Sequence, residues 1–166
     1  MSKKKPYTFI DLFAGAGGLS EGFIKAGFSP IAHIEMKQDA CNTLKTRSAF
    51  HYLKAQGKLS IYEDYLKNKV EGTDGSILWN QVPPEVTNAA ICATIGEDTI
   101  NGIFKKVDAL KGDKTVDIII GGPPCQAYSS AGKGKLRSLG EHRVNTNDAR
   151  GYLYQDFLRF AFDLNA

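Results

Sequence analysis

The sequence predicts an α/β chain organised around a mostly parallel sheet. Three observations carry this reading. Tyr7 to Phe13 is an apolar, strand-like run followed by the small-residue turn Ala14-Gly15-Ala16-Gly17-Gly18 and then by a helical stretch. Pro30 to Glu35 is a second short apolar run that ends in a carboxylate. Val116 to Ile120 is a third, β-branched and too short for a helix, stopped by two glycines and two prolines. Short apolar strands alternating with helical patterns are the signature of βαβ units.

Taken in order, the first unit runs from strand Tyr7–Phe13 into helix Leu19–Ala26, with Gly27 as the residue that closes it. Small residues between a strand and a helix let backbone amides approach a ligand at the helix N-terminus, as in nucleotide-binding folds. A plain tight βα turn has the same composition, so the turn alone does not decide. Glu35 adds to it. It stands about 20 residues after Gly15, where an acidic side chain grips ribose hydroxyls, because a carboxylate accepts hydrogen bonds from both oxygens of a vicinal diol.

Lys37 to about Lys54 reads as a helix, with Ala40, Cys41, Leu44 and Ser48 on one stripe. Cys41 on that stripe is expected in the core, and His51 on the surface or in packing. Residues 58–105 are the least legible. Ile61–Lys67 and Glu85–Thr94 suggest helices separated by Gly and Pro breaks, Trp79 is expected to anchor the segment on the sheet, and Cys92 lies in an apolar stretch that suggests burial. After the Val116–Ile120 strand come Gly121-Gly122-Pro123-Pro124-Cys125-Gln126. This places a cysteine just beyond the end of a strand, where open α/β sheets bind their ligands. Residues 131–147 then carry Lys133, Lys135, Arg137 and Arg143 among glycines, which suits either phosphate contact or a solvated loop. Gln155–Phe162 is dense in apolar residues and reads as a buried helix, capped by Asn147 or Asp148.

The totals bound the function classes. A chain of 166 residues, 42% hydrophobic and 23% charged, has the size of one domain with a substantial core. No apolar run nears the roughly 18–20 residues that span a membrane, and Met1–Pro6 lacks a signal-peptide core, so a cytoplasmic address is expected. The three cysteines, Cys41, Cys92 and Cys125, are too widely spaced for a metal or disulfide framework, and no metal site is expected. The net charge of +3 permits contact with an anionic polymer without arguing for it.

Gly-Gly-Pro-Pro-Cys-Gln-Ala-Tyr-Ser at 121–129, taken with Asp-Leu-Phe-Ala-Gly-Ala-Gly-Gly at 11–18, resembles the DNA (cytosine-5) methyltransferases. The resemblance covers most of the chain outside 58–105. It implies a Rossmann-like, S-adenosylmethionine-dependent methyltransferase fold with an incomplete sheet, and the transfer of a methyl group to cytosine carbon 5 through a cysteine adduct. It implies Cys125 as nucleophile, flanked by Pro124 and Gln126. The S-adenosylmethionine site would comprise Asp11, Leu12, Phe13, Ala14, Gly15, Gly17, Gly18, Leu19, Glu35 and Met36. Asp108-Ala109 fits the third-strand position that bonds adenine, with Asp113 as competitor, and Leu153 the position that packs on the cofactor.

The family's Glu-Asn-Val segment, target-recognition region and C-terminal helix have no counterpart in residues 1–166. The chain is therefore expected to be the N-terminal, cofactor-binding part of a longer or split enzyme, with 58–105 a helical insertion. Its expected partners are double-stranded DNA and a C-terminal portion or second chain that carries the target-recognition region. The expected setting is a restriction-modification system, and the isolated chain is expected to be inactive. The same chemistry on RNA and a non-catalytic DNA-binding relative remain open. A nicotinamide-dependent dehydrogenase fits less well, since positions 15, 17 and 20 are Gly, Gly and Ser.

Overall fold

The computed structural model describes residues 5–68, 75–123 and 153–163. Elements are numbered along those residues. Strand β1 (Thr8–Leu12) leads through the glycine turn to helix α1 (Gly18–Lys25), then β2 (Ser29–Glu35) and α2 (Gln38–Ala55). Short helices α3 (Leu59–Asn68), α4 (Ser76–Trp79) and α5 (Pro84–Asn88) precede β3 (Ala90–Cys92), α6 (Glu97–Lys111), β4 (Ile118–Gly121) and α7 (Leu153–Asp163).

The four strands form one all-parallel sheet in the order β3-β2-β1-β4, the Rossmann-like arrangement expected from the sequence. β1 is paired on both edges and all five of its residues are buried, which suits the apolar Phe9, Ile10 and Leu12 and the β-branched Thr8, while the buried Asp11 is met by a hydrogen bond from Ser20. Its side chains alternate between the two faces. Ile10 and Leu12 join Ile34, Ile91, Ile100, Ile103, Val107 and Phe160 in the main core under α6 and α7. Phe9 turns the other way, against Phe23 of α1 at 5.4 Å between ring centroids. A register shift between Phe9 and Ile10 leaves Ile31 without a partner on β1, and Ile31 enters the same core as its neighbour Ala32.

α1 ends as predicted at Gly27. With φ at 91°, this glycine allows Phe28 N–H to reach the Phe23 carbonyl and Gly27 N–H the Ile24 carbonyl, each at 3.0 Å. α2 buries Cys41, Leu44, Ala49 and Leu53, so Cys41 is core as expected. At the far end of the chain, α7 is not the buried helix expected: it buries Phe160 completely, edge-on to Phe104 of α6 with 4.7 Å between centroids, while Leu158 and Phe162 are exposed, because one face of the helix meets the core.

Three expectations for the middle of the chain are corrected. Trp79 anchors its segment on α2, not on the sheet: its Nε1 donates to Thr46 Oγ1 at 3.2 Å and Lys45 Nζ lies 4.9 Å from its ring centroid. There, α3, α4 and α5 share a satellite core with Ala49 and Leu53. The helix expected over Glu85–Thr94 stops at Asn88. Ala90, Ile91 and Cys92 instead pair with His33, Ile34 and Glu35, because an open sheet edge offers this short run a ladder of hydrogen bonds. Cys92, on that edge strand, is exposed and not core.

The third strand is therefore Ala90–Cys92, and Asp108 and Ala109 lie within α6. Gly96 precedes this helix, Glu97 and Asp98 favour its positive N-terminal end, and Ile100, Ile103 and Val107 at three- and four-residue spacing face the sheet. Asp108 projects outward and pairs with Lys111 at 3.5 Å. No helix among the described residues is long and apolar enough to cross a membrane.

Candidate functional site

The carboxyl ends of β1, β2, β3 and β4 meet at one end of the parallel sheet, where the chain turns out of each strand. The residue after β1, Phe13, has φ at 58°, a left-handed conformation that costs a non-glycine residue about 1 kcal/mol or more. This reversal lets Ala14 N–H reach the Ile34 carbonyl at 3.1 Å and aims Gly15 N–H at Glu35. Glu35 Oε2 accepts from Gly15 N–H and Oε1 accepts from Lys37 N–H, both at 2.9 Å. One carboxylate thus joins the glycine turn to the start of α2.

Around Glu35 opens a cleft of about 230 Å³. Phe13, Ile34, Met36 and Leu153 supply much of its apolar wall, Ala93–Ile95 close the β3 side, and Gly122 stands where the chain leaves β4. A carboxylate has about four acceptor sites, and the two backbone N–H groups use one on each oxygen. Each oxygen keeps one for a ligand. This pair of acceptors suits a vicinal diol attached to apolar or aromatic groups, as in a nucleoside.

Behind the turn lies a buried polar network. Ser20 Oγ donates to Asp11 Oδ2 at 2.5 Å and stands 2.9 Å from His33 Nδ1, and all three residues are at most 3% exposed. Burial, offset in part by the Ser20 hydrogen bonds, raises the Asp11 pKa. Burial and then the charge of His51 push His33 down to about 4, so its ring is neutral near pH 7. With the serine proton on Asp11, His33 Nδ1–H is the donor to Ser20. The network fastens α1 to β1 and β2 directly beneath the glycines. A second knot ties α1 to α2: Glu21 Oε2 meets His51 Nε2 at 2.8 Å and Arg47 at 3.2 Å, and these partners, His51 foremost, lower its pKa. A larger cleft, about 410 Å³, opens between α1, α2 and α5; Arg47 and His51 on its wall both pair with Glu21, Glu85 and Lys114 also line it, and it reaches Ser29 and Pro30 at the amino end of β2, away from the carboxyl ends of the strands.

The residues predicted for the site fall into several groups. Phe13, Glu35, Met36 and Leu153 line the cleft, and Gly15 contacts it through Glu35. Asp11 and Leu12 are interior, and Ala14 packs with Leu44 and Ala90. Gly17 caps α1 at φ 82°, where a Cβ would come 2.8 Å from Leu44 Cδ2. Gly18 opens α1, and Leu19 is half exposed on it. Asp108 and Ala109 do not line the cleft. Pro124, Cys125 and Gln126 lie outside the described residues, as does the basic stretch 131–147.

Lys37 and Ala93–Ile95 were not singled out from the sequence. Ala90–Ile95 does carry a signal, a short apolar run halted by Gly96 and an acidic first helical turn. Gly121 answers to the packing of two strands. Its φ is 153°, and a Cβ there would sit 2.2 Å from the Leu12 carbonyl oxygen, so β4 approaches β1 too closely for any side chain.

A parallel α/β sheet with a carboxylate-centred cleft at the carboxyl ends of its strands is the arrangement in which open α/β domains bind their ligands. Comparison with known proteins narrows this class. The family model for C-5 cytosine-specific DNA methylase matches residues 7–70 and 89–164, and the chain belongs to that family. The gap between the two matched stretches contains all of α4 and α5. The chain is 36% identical over 168 residues to the type II methyltransferase M.Bpa9945I of Bacillus paralicheniformis, covering 90% of this chain and 36% of that protein. It is 35% identical to a putative type II methyltransferase, M.OihORF3336P of Oceanobacillus iheyensis, covering 98% of this chain and 28% of the relative. It is 30% identical to the putative type II methyltransferase M.MjaORF1200P of Methanocaldococcus jannaschii, covering 94% and 45% respectively. The chain thus spans well under two thirds of the length of these relatives. No solved structure matches it.

Proposed function

We propose that this chain is the N-terminal, cofactor-binding part of an enzyme that methylates carbon 5 of cytosine in double-stranded DNA, using S-adenosylmethionine, as the modification arm of a restriction-modification system. The observation that carries the reading is the Glu35 carboxylate, held by Gly15 and Lys37 with one acceptor site free on each oxygen, in a chain of this family. S-adenosylmethionine fits those acceptors: Glu35 would accept from the two ribose hydroxyls, and Phe13, Met36 and Leu153 would meet the apolar surface of the nucleoside. When bound, it supplies an electrophilic methyl group. In place of Asp108, the adenine end falls to Ala93–Ile95, the residues that follow the third strand.

Cys125 is the proposed nucleophile, four residues beyond the end of β4 in sequence. Cytosine carbon 5 is a weak nucleophile. Addition of the Cys125 thiolate to carbon 6 removes the aromaticity of the ring and makes carbon 5 an enamine carbon able to attack an electrophile. An ordinary thiol, with pKa near 8.5, is only slightly ionised at neutral pH, so this role requires surroundings that favour the anion. The target carbon is inaccessible within a duplex, so the base must be turned out of the stack. A C-terminal portion or second chain would carry the target-recognition region and complete the site.

The test is direct. In the complete enzyme, Cys125→Ser is expected to abolish methyl transfer to duplex DNA while S-adenosylmethionine still binds. Near-normal turnover by that variant would remove Cys125 from its role. The 166-residue chain alone is expected to bind the cofactor and show no transfer.

A further inference from the structure

Beside the cleft, and apart from the proposed nucleophile, two further cysteines converge on the corner that holds Glu35. Cys41, in the first turn of α2, donates from Sγ to the Glu35 carbonyl at 3.2 Å, and Cys92, the last residue of β3, points its Sγ at the Met36 carbonyl at 3.8 Å. Cys92 is also the register partner of Glu35 across the β2–β3 ladder, and Ala93 N–H binds the same Glu35 carbonyl at 2.9 Å. The two thiols therefore sit on consecutive carbonyls of one short peptide, the one that carries the cleft's carboxylate. Cys92 is exposed and Cys41 buried, and neither is in a disulfide.

We propose that Cys92 and Cys41 form a thiol pair that exchanges with small disulfides of the glutathione type, closing a Cys41–Cys92 bond across the Glu35–Met36 corner. The exposed Cys92 thiolate attacks one sulfur of the reagent, forming a mixed disulfide and expelling one thiolate. Cys41, losing its proton to solvent, then attacks Cys92 Sγ and expels the second. Two protein thiols are oxidised by two electrons and the reagent disulfide is reduced to two thiols, which take up the protons. The roles follow from the environment. Burial, and after it the neighbouring Cys92 thiol, push Cys41 up to about 12, so Cys41 is the slower, resolving partner. Forming the mixed disulfide abolishes the Cys92 charge and removes part of that hindrance. The bond also withdraws the Cys41 hydrogen bond from the Glu35 carbonyl and ties α2 to β3.

The consequence for the cleft rests on the cofactor reading above, and the experiment separates the two. The folded protein is incubated with oxidised glutathione at mildly alkaline pH, quenched with acid and digested without reductant for peptide mass spectrometry. A Cys41–Cys92 linked peptide is expected, reversible by dithiothreitol. Cys41→Ser should stop at glutathionylated Cys92, and Cys92→Ser should leave Cys41 unmodified. Accumulation of the Cys92 mixed disulfide without the linked peptide in the unaltered chain would overturn the proposal, as would linkage of either cysteine to Cys125 alone. Calorimetry on the oxidised chain should then show S-adenosylmethionine binding about three- to tenfold weaker than on the reduced chain, the scale of one lost hydrogen bond. If the reduced chain does not bind the cofactor at all, the cofactor reading fails while the linked peptide still decides the thiol pair.

Discussion

Glu35 Oε2 accepts a hydrogen bond from Gly15 N–H at 2.9 Å, across 20 residues of chain and between the ends of two neighbouring parallel strands. The bond requires a small-residue turn after β1 and a carboxylate at the end of β2, and it sets the acceptor geometry of the cleft.

Glu35→Gln keeps the size of the side chain but turns one acceptor into a donor that faces a backbone N–H. Since hydrogen bonds to a charged group contribute about 1.5–3 kcal/mol, cofactor affinity is expected to fall by about ten- to a hundredfold. Isothermal calorimetry with S-adenosylmethionine checks this. Affinity within about twofold of the parent would remove Glu35 from the site.

Adjacent glycines after β4 should behave differently. Gly121→Ala forces a Cβ to within 2.2 Å of the Leu12 carbonyl oxygen, whereas a Cβ at Gly122 meets nothing within 4 Å among the described residues. Gly121→Ala is expected to cost more than about 2 kcal/mol and Gly122→Ala less than about 0.5 kcal/mol. Urea unfolding of the two variants gives the comparison, and equal midpoints would contradict the close approach of β1 and β4.

The buried histidine makes stability depend on pH. His33 has its folded pKa lowered from 6.5 to about 4, so between those values the unfolded chain binds a proton that the folded chain does not. Stability from this group is complete above about pH 6.5 and is lost as pH falls towards 4, on the order of 3 kcal/mol in all. Asp11, with its pKa raised, acts in the opposite sense as it takes up a proton in the folded state first, and Glu21, lowered, acts in the same sense as His33. His33→Asn isolates the histidine. It is expected to flatten the fall in unfolding free energy between pH 6.5 and pH 5, and an unchanged slope would show that His33 does not produce it.

Packing of the segment on α2 is testable at Trp79. Trp79→Ala removes a side chain shared among α2, α4 and the satellite core and should cost about 3 kcal/mol, while Thr46→Val, which deletes only the acceptor for Nε1–H, should cost about 1 kcal/mol. Thermal unfolding of both variants measures the difference. A neutral Trp79→Ala would mean that the segment does not dock through this residue.

Much of this molecule is legible in local sequence. β1, the glycine turn, α1 with its Gly27 stop, β2 with Glu35, α2, β4 and α7 each announce themselves through a nearby period, breaker or cap. Signals of that kind act over a few residues and survive without tertiary help. Glu35 came from its spacing after the glycine turn, and the cleft-lining positions Phe13, Met36 and Leu153 from family resemblance placed on those elements.

Tertiary structure alone decided the rest. Ala90-Ile91-Cys92 shows in the sequence only as part of a short apolar run that suits a helix or a strand, and it becomes a strand because β2 presents an edge to it. That pairing, in turn, leaves Lys105–Leu110 to α6 and moves the third-strand end from Asp108 to Ala93–Ile95. Trp79 was visible as an anchor, but its partner was not, since a side chain's composition does not name the surface it meets. The meeting of Asp11, Ser20 and His33, and of Cys41 with Cys92, likewise depends on strand order and helix placement. Local sequence determines which elements form; edge pairing and burial, which act between residues far apart in the chain, determine which side chains share a site.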